Sequence, residues 1–185
     1  MEKKELGSVI RVNGELKLNP QNKADVTSLI GGIVRKISVI EGQQVKAGQT
    51  VAYIENTEIV EMQKNYLMAA KEKETAQLEQ QRQRTLSAQG AGVEKTLQQA
   101  EAAYATAQAR LTGLHHQLVQ IGISPEQVAA GKIVLQVPVR TTIPGVVGKV
   151  SVNTGTYVDT TTPLMQIADN SAVCASLNVF ERNIS

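Results

Sequence analysis

The chain has 185 residues, with 19 basic and 17 acidic side chains and a net charge of +2, a balance that gives no footing for nucleic-acid binding. With no Trp, one Phe and four Tyr it is poor in the large side chains of a compact core, which favours an elongated molecule with much surface per residue. The single Cys174 excludes an intramolecular disulfide, and no run of about 18 apolar residues offers a membrane span.

Taken in chain order, Met1-Glu-Lys-Lys-Glu5 lacks the apolar stretch of a signal peptide. Gly7 to Leu18 is strand-like. Gly32 to Asn56 then aligns without a gap onto Gly145 to Asp169, 113 positions further on. Eight of the 25 positions are identical, among them Gly32/Gly145, Val34/Val147, Gly42/Gly155 and Val45/Val158, too many for an accidental match. Two copies are too few for a solenoid, so they are expected to pack as halves of one small domain. Each copy reads as a strand, a turn at Gly42 or Gly155 that calls for a positive φ, and a second strand. In the first copy Ile33, Ile37 and Val39 alternate partly with Val34, Lys36 and Ser38. Lys46-Ala-Gly48 becomes Asp159-Thr-Thr161 in the second copy, whose turn has lost its glycine.

Between the copies, Thr57 to Ile121 contains no Pro and is rich in Ala, Gln, Glu, Lys and Leu, a helical composition. Gln89-Gly90-Ala91-Gly92 breaks it into two helices and permits a reversal. Downstream, Val93, Leu97, Ala100, Tyr104, Ala107, Leu111, Leu114, Leu118 and Ile121 alternate spacings of four and three, the seam of a coiled coil. Upstream, Ile59, Met62, Tyr66, Ala69 and Ala76 keep a similar register, but Lys73, Gln80 and Gln83 take seam positions towards the turn. Each helix would project roughly 45 Å at about 1.5 Å per residue, with a packed base and a polar tip. Ser124-Pro125-Glu-Gln127 is a helix start, Gly131 ends that short helix, and Lys132 to Val139 begins the return strand. Ala172 to Val179 is a last strand, expected to pair with Gly7 to Leu18 in a neighbouring, incomplete β domain.

The paired β halves, with Gly-(Ile/Val)-Val at the start and Val-x-x-Gly-x-x-Val at the turn, resemble the lipoyl/biotinyl domain. No Met-Lys-Met-like motif occupies the join; a helical hairpin does. A lipoyl-like domain so interrupted resembles the periplasmic adaptor, or membrane fusion protein, family of tripartite efflux systems. Leu177-Asn-Val179-Phe180-Glu181-Arg182-Asn-Ile184 is similar to the start of that family's β-barrel domain, especially in its heavy-metal/cation branch, as is Gly122-Ile-Ser-Pro-Glu-Gln127 to that branch's post-hairpin turn. The resemblance implies an α+β architecture: residues 24–56 and 132–169 form a split lipoyl/biotinyl-like β-sandwich, 57–131 a long antiparallel coiled-coil hairpin with its tip near 87–93, and 1–23 and 170–185 pieces of a truncated β-barrel.

The same resemblance implies a non-catalytic adaptor in the periplasm, held at the inner membrane by an N-terminal signal or anchor absent from this chain. Its partners would be an inner-membrane efflux transporter, an outer-membrane channel and further copies of itself in a ring, hexameric when assembled; no nucleic acid and no cofactor is involved. In the drug-efflux branch the tip carries Arg, Leu and Ser as channel-docking residues. Arg82 and Leu86 match the first two, and Val93 stands where the Ser would be. Leu67, Leu78 and Leu86 lie largely off the seam and are candidates for lateral or channel contacts.

Other features read as structural. Lys36 and Lys149 share a repeat position but not a tight hairpin tip, so they read as solvated strand lysines. His115 and His116 point about 100° apart on a helix and do not readily share a metal. The scattered methionines Met1, Met62, Met68 and Met165 form no metal-binding cluster. No catalytic constellation is present. The alternatives are a lipoyl or biotinyl carrier domain of a multienzyme complex, or an adaptor of an ATP-driven or type I secretion transporter.

Overall fold

The computed structural model describes residues 13–18, 22–169 and 173–178. The strands are β1 (Asn13–Leu18), β2 (Lys23–Val26), β3 (Gly32–Ile37), β4 (Gln44–Val45), β5 (Thr50–Glu55), β6 (Gln136–Arg140), β7 (Gly145–Val150), β8 (Tyr157–Val158), β9 (Met165–Ala168) and β10 (Val173–Asn178). Between β5 and β6 run helices α1 (Thr57–Ala88), α2 (Glu94–Gln120) and the short α3 (Pro125–Ala129).

The repeat is the plan of the sandwich. β3 and β4 map onto β7 and β8 residue for residue, and the correspondence extends upstream, from β2 onto the first four residues of β6. Two antiparallel four-stranded sheets result, ordered β2-β9-β7-β4 and β6-β5-β3-β8. Each takes both edge strands from the other half: β2 and β4 flank β9 and β7, and β6 and β8 flank β5 and β3. Neither half can therefore complete a sheet alone.

The interior repeats as well. Val26/Val139, Val34/Val147, Val39/Val152, Val45/Val158, Val51/Leu164, Ala52/Met165 and Ile54/Ile167 are mates under the repeat, and all are buried in one core. The polar mates Ser28 and Thr141 are buried too and are satisfied locally. Ser28 Oγ accepts from the Ile30 amide at 3.3 Å, and Thr141 Oγ1 donates to the Ile143 carbonyl at 2.7 Å.

Along β3 the inward residue is Val34, while Ile33 turns outward. A bulge between Val34 and Lys36 shifts the register, which is why the alternation read from sequence is only partial. Gly42 and Gly155 adopt positive φ, 83° and 91°. Where the second turn lacks the glycine, the Asp159 carboxylate replaces it. One oxygen accepts from the amides and hydroxyls of Thr161 and Thr162 at 2.7–2.8 Å. Those hydroxyls, followed by the amides, lower the Asp159 pKa from 3.8 to about 2.

β1 and β10 pair antiparallel as a separate two-stranded sheet, from Asn13 opposite Asn178 to Leu18 opposite Val173. Residues 7–12, 172 and 179, and the motif beyond Asn178, lie outside the described residues.

Candidate functional site

The helices begin where the first half ends. Asn56 is the N-cap of α1: its Oδ1 accepts from the Glu58 amide at 2.9 Å, while its Nδ2 donates to the Gly31 carbonyl at 2.7 Å. The cap thus also ties α1 to the segment entering β3. About two turns further on, Gln63 is fully buried. Its Nε2 donates to the Ile59 carbonyl at 2.9 Å and the Val134 carbonyl at 2.7 Å, and its Oε1 accepts from the Val134 amide at 2.9 Å. A glutamine on a polar helix reads as surface in the sequence, so this residue was not legible there. The return strand starts at Gln136 rather than Lys132 because its ladder partner β5 ends at Glu55, opposite Gln136, and the side chain of Gln63 satisfies the backbone groups of Val134 just ahead of it.

Helices α1 and α2 run antiparallel, with Arg110 bonded to Glu72 and Arg84 to Glu101, both at 2.8 Å. These exposed pairs fix register more than they stabilise. Of the stripe on α2, Ala100, Ala107, Leu118 and Ile121 are buried and Leu97, Tyr104, Leu111 and Leu114 half-buried, while Lys73 of α1 lies 5.9 Å from the Tyr104 ring centroid. Val93 departs from the stripe. It is the N-cap of α2, outside the helix and 65% exposed, because the two-glycine turn delays the helix start to Glu94. On α1, Gln80 is buried and Gln83 half-buried, so the helix pair is apolar at its base and polar towards its tip.

The tip is residues 89–93. The Ala91 amide bonds back to the Leu86 carbonyl and the Gly90 amide to Ser87, both at 3.0 Å, a Schellman closure that uses the φ of 74° at Gly90. Gly92 is required for a different reason: a Cβ there would lie 2.6 Å from the Ser87 nitrogen.

The predicted docking residues are brought to this end but not into one cluster of contacts. Arg82 is exposed and paired with Glu79 of its own helix, Leu86 is 37% exposed, and Val93 sits across the turn. Arg84, also beside the tip, is bonded to Glu101 on the other helix. Leu78 and Met68 are exposed on α1, whereas Leu67 packs partly against the core.

Other sequence candidates stay apart. Lys36 and Lys149 are exposed on β3 and β7, and the join between the halves holds α1 to α3 instead of a carrier hairpin. His115 stands edge-on to His116 and 4.0 Å from Glu126 of α3. The Ser124 hydroxyl is the main cause holding the Glu126 carboxyl below its usual range. Among the described residues no group of three or more His, Cys, Asp or Glu could hold a metal. A cleft of about 260 Å³ lies between the edges of β2 and β6, floored by Val26, Val137 and Val139. No described helix is long and apolar enough to cross a membrane.

Residues 22–169 match the family described as CzcB-like, barrel-sandwich hybrid domain. The chain is 25% identical over 175 residues to the cobalt-zinc-cadmium resistance protein CzcB of Cupriavidus metallidurans, covering 95% of this chain and 33% of that protein. It thus spans about a third of the length of the curated relatives it matches. Among solved structures, ZneB from Cupriavidus metallidurans aligns with a TM-score of 0.60 at 23% identity, covering 92% of this chain and 70% of ZneB. A MacA–MexA chimeric protein containing the Pseudomonas aeruginosa MexA alpha-hairpin domain aligns with a TM-score of 0.65 at 23% identity, covering 96% and 59%. Those two likenesses speak to the fold. With the match running from ahead of β2 to the end of β9, the chain belongs to the CzcB-like, barrel-sandwich hybrid domain family.

Proposed function

We propose that this chain is part of a periplasmic adaptor, a non-catalytic membrane fusion protein linking an inner-membrane efflux pump to an outer-membrane channel. One observation carries the reading: a pair of long antiparallel helices leaves a single sandwich between its two halves, in a chain of the CzcB-like family. The sandwich is the base, the hairpin packs as a coiled coil, and the tip around Arg82, Leu86 and Val93 meets the channel. Copies stand side by side in a ring, with the outward residues Met68 and Leu78 available for lateral contact. The names of the relatives support divalent transition cations such as cobalt, zinc and cadmium as the cargo of the assembled system.

The test replaces Arg82 with Ala and Leu86 with Asp in the full-length protein. Expected results are loss of metal tolerance and of crosslinking between residue 89 and the channel, with the protein's melting temperature unchanged. Wild-type tolerance with wild-type crosslinking would remove these residues from the docking site.

A further inference from the structure

The base of the hairpin holds a feature that the docking reading does not use. Two sets of side-chain hydrogen bonds tie α1 to the sandwich, beside the apolar packing of Ile59 and Tyr66 into the core. Asn56 bonds to Gly31, ahead of β3, and Gln63 bonds through both ends of its amide to Val134, ahead of β6. β5, from which α1 emerges, lies between those two strands. Bonds to the segments leading into the strands on either side of its origin, added to that packing, oppose a swing of the helix about its first residue. α3 packs against both α1 and α2 and closes the remaining side.

We propose that Gln63 is a positioning residue that sets the direction in which the hairpin points, making the arm a rigid boom rather than a hinged one. The inference rests on the reading that the tip must reach a partner, and it adds what aims it. Geometry supplies the leverage. At about 1.5 Å per residue, Gln63 sits about 9 Å beyond Thr57 and Ala88 about 47 Å beyond it, so slack at the latch is magnified about fivefold at the tip. An ångström of play there becomes a displacement wider than a side chain. The latch is also demanding chemically: Gln63 is fully buried, and its loss leaves the Val134 amide and carbonyl without these partners.

The experiment uses the whole chain with Cys174 replaced by Ser and spin labels at Gln89→Cys and Lys149→Cys, both exposed positions. The tip-to-sandwich distance distribution is measured by pulsed electron resonance. Gln63→Met keeps the length and helix propensity of the side chain and removes both bonds to Val134. The distribution is expected to broaden by at least about twofold while helix content is kept, since the arm amplifies any slack. Leu111→Ala, which weakens the helix pair without touching the latch, is expected to leave the width at the wild-type value. Equal widths in wild type and Gln63→Met, or equal broadening in both variants, would overturn the proposal. Hydrogen exchange on the unmutated chain gives an independent reading: the Val134 amide is expected to be protected as well as the amides of α1 around Tyr66, and rapid exchange there would also overturn it. Both measurements are made without a channel, so their failure is distinct from failure of the docking reading.

Discussion

Val45 lies opposite Gly145 in the pairing of β4 with β7. Under the repeat these become Val158 and Gly32, and those two lie opposite each other in the pairing of β8 with β3. The two sheets are thus locked by reciprocal exchange of a two-residue strand, and the exchanged valines are almost fully buried.

Val45→Ala and Val158→Ala should therefore cost the same, about 2 kcal/mol each, and each should destabilise both sheets together. Urea unfolding followed by circular dichroism checks this. A single transition with equally lowered midpoints is expected, and a biphasic curve in either variant would contradict a single cooperative sandwich.

At the tip the two glycines should behave differently. Gly90→Ala meets no atom within 4 Å and suffers only its positive φ, a cost of about 1 kcal/mol. Gly92→Ala drives a Cβ into the backbone of Ser87, which cannot yield as a side chain could, so the closure itself should open at a cost of about 2 kcal/mol. Limited proteolysis within residues 89–93 reads the difference, with Gly92→Ala cut faster than Gly90→Ala.

Asp159 gives a pH dependence whose sign follows from its depressed pKa. The group binds its proton less readily folded than unfolded, so its contribution is complete above the ordinary value of 3.8 and is lost as pH falls towards about 2. Nuclear magnetic resonance titration of the carboxyl should place its midpoint near about 2 in the wild type. Replacing both Thr161 and Thr162 with Val should raise that midpoint, because the hydroxyls are the leading cause of the depression. An unmoved midpoint would assign the effect to the backbone amides.

Much of this was legible in the residues themselves, for a physical reason in each case. The matched strands follow from apolar positions repeated at constant offset, and the reversal between α1 and α2 follows from two glycines in a segment of strong helix formers. Ser124 and Pro125 announce the start of α3, where the Ser124 hydroxyl accepts from the Gln127 amide at 3.3 Å. These signals are local, or are copies of one another, and composition or periodicity carries them.

Tertiary structure alone decided the rest. Two-residue strands such as β4 and β8 are too short to show a period, and their partners lie in the other half of the chain, so only the closed sandwich assigns them. The extension of the repeat to β2 and β6 is nearly silent in sequence, since between Lys23–Val26 and Gln136–Val139 only Val26/Val139 is identical. Burial of Gln63 depends on a backbone segment 71 residues away that neither pattern nor propensity reveals. Val93 fits the heptad count yet lies outside the helix, because spacing counts residues and takes no account of where a turn lets the first helical hydrogen bond form.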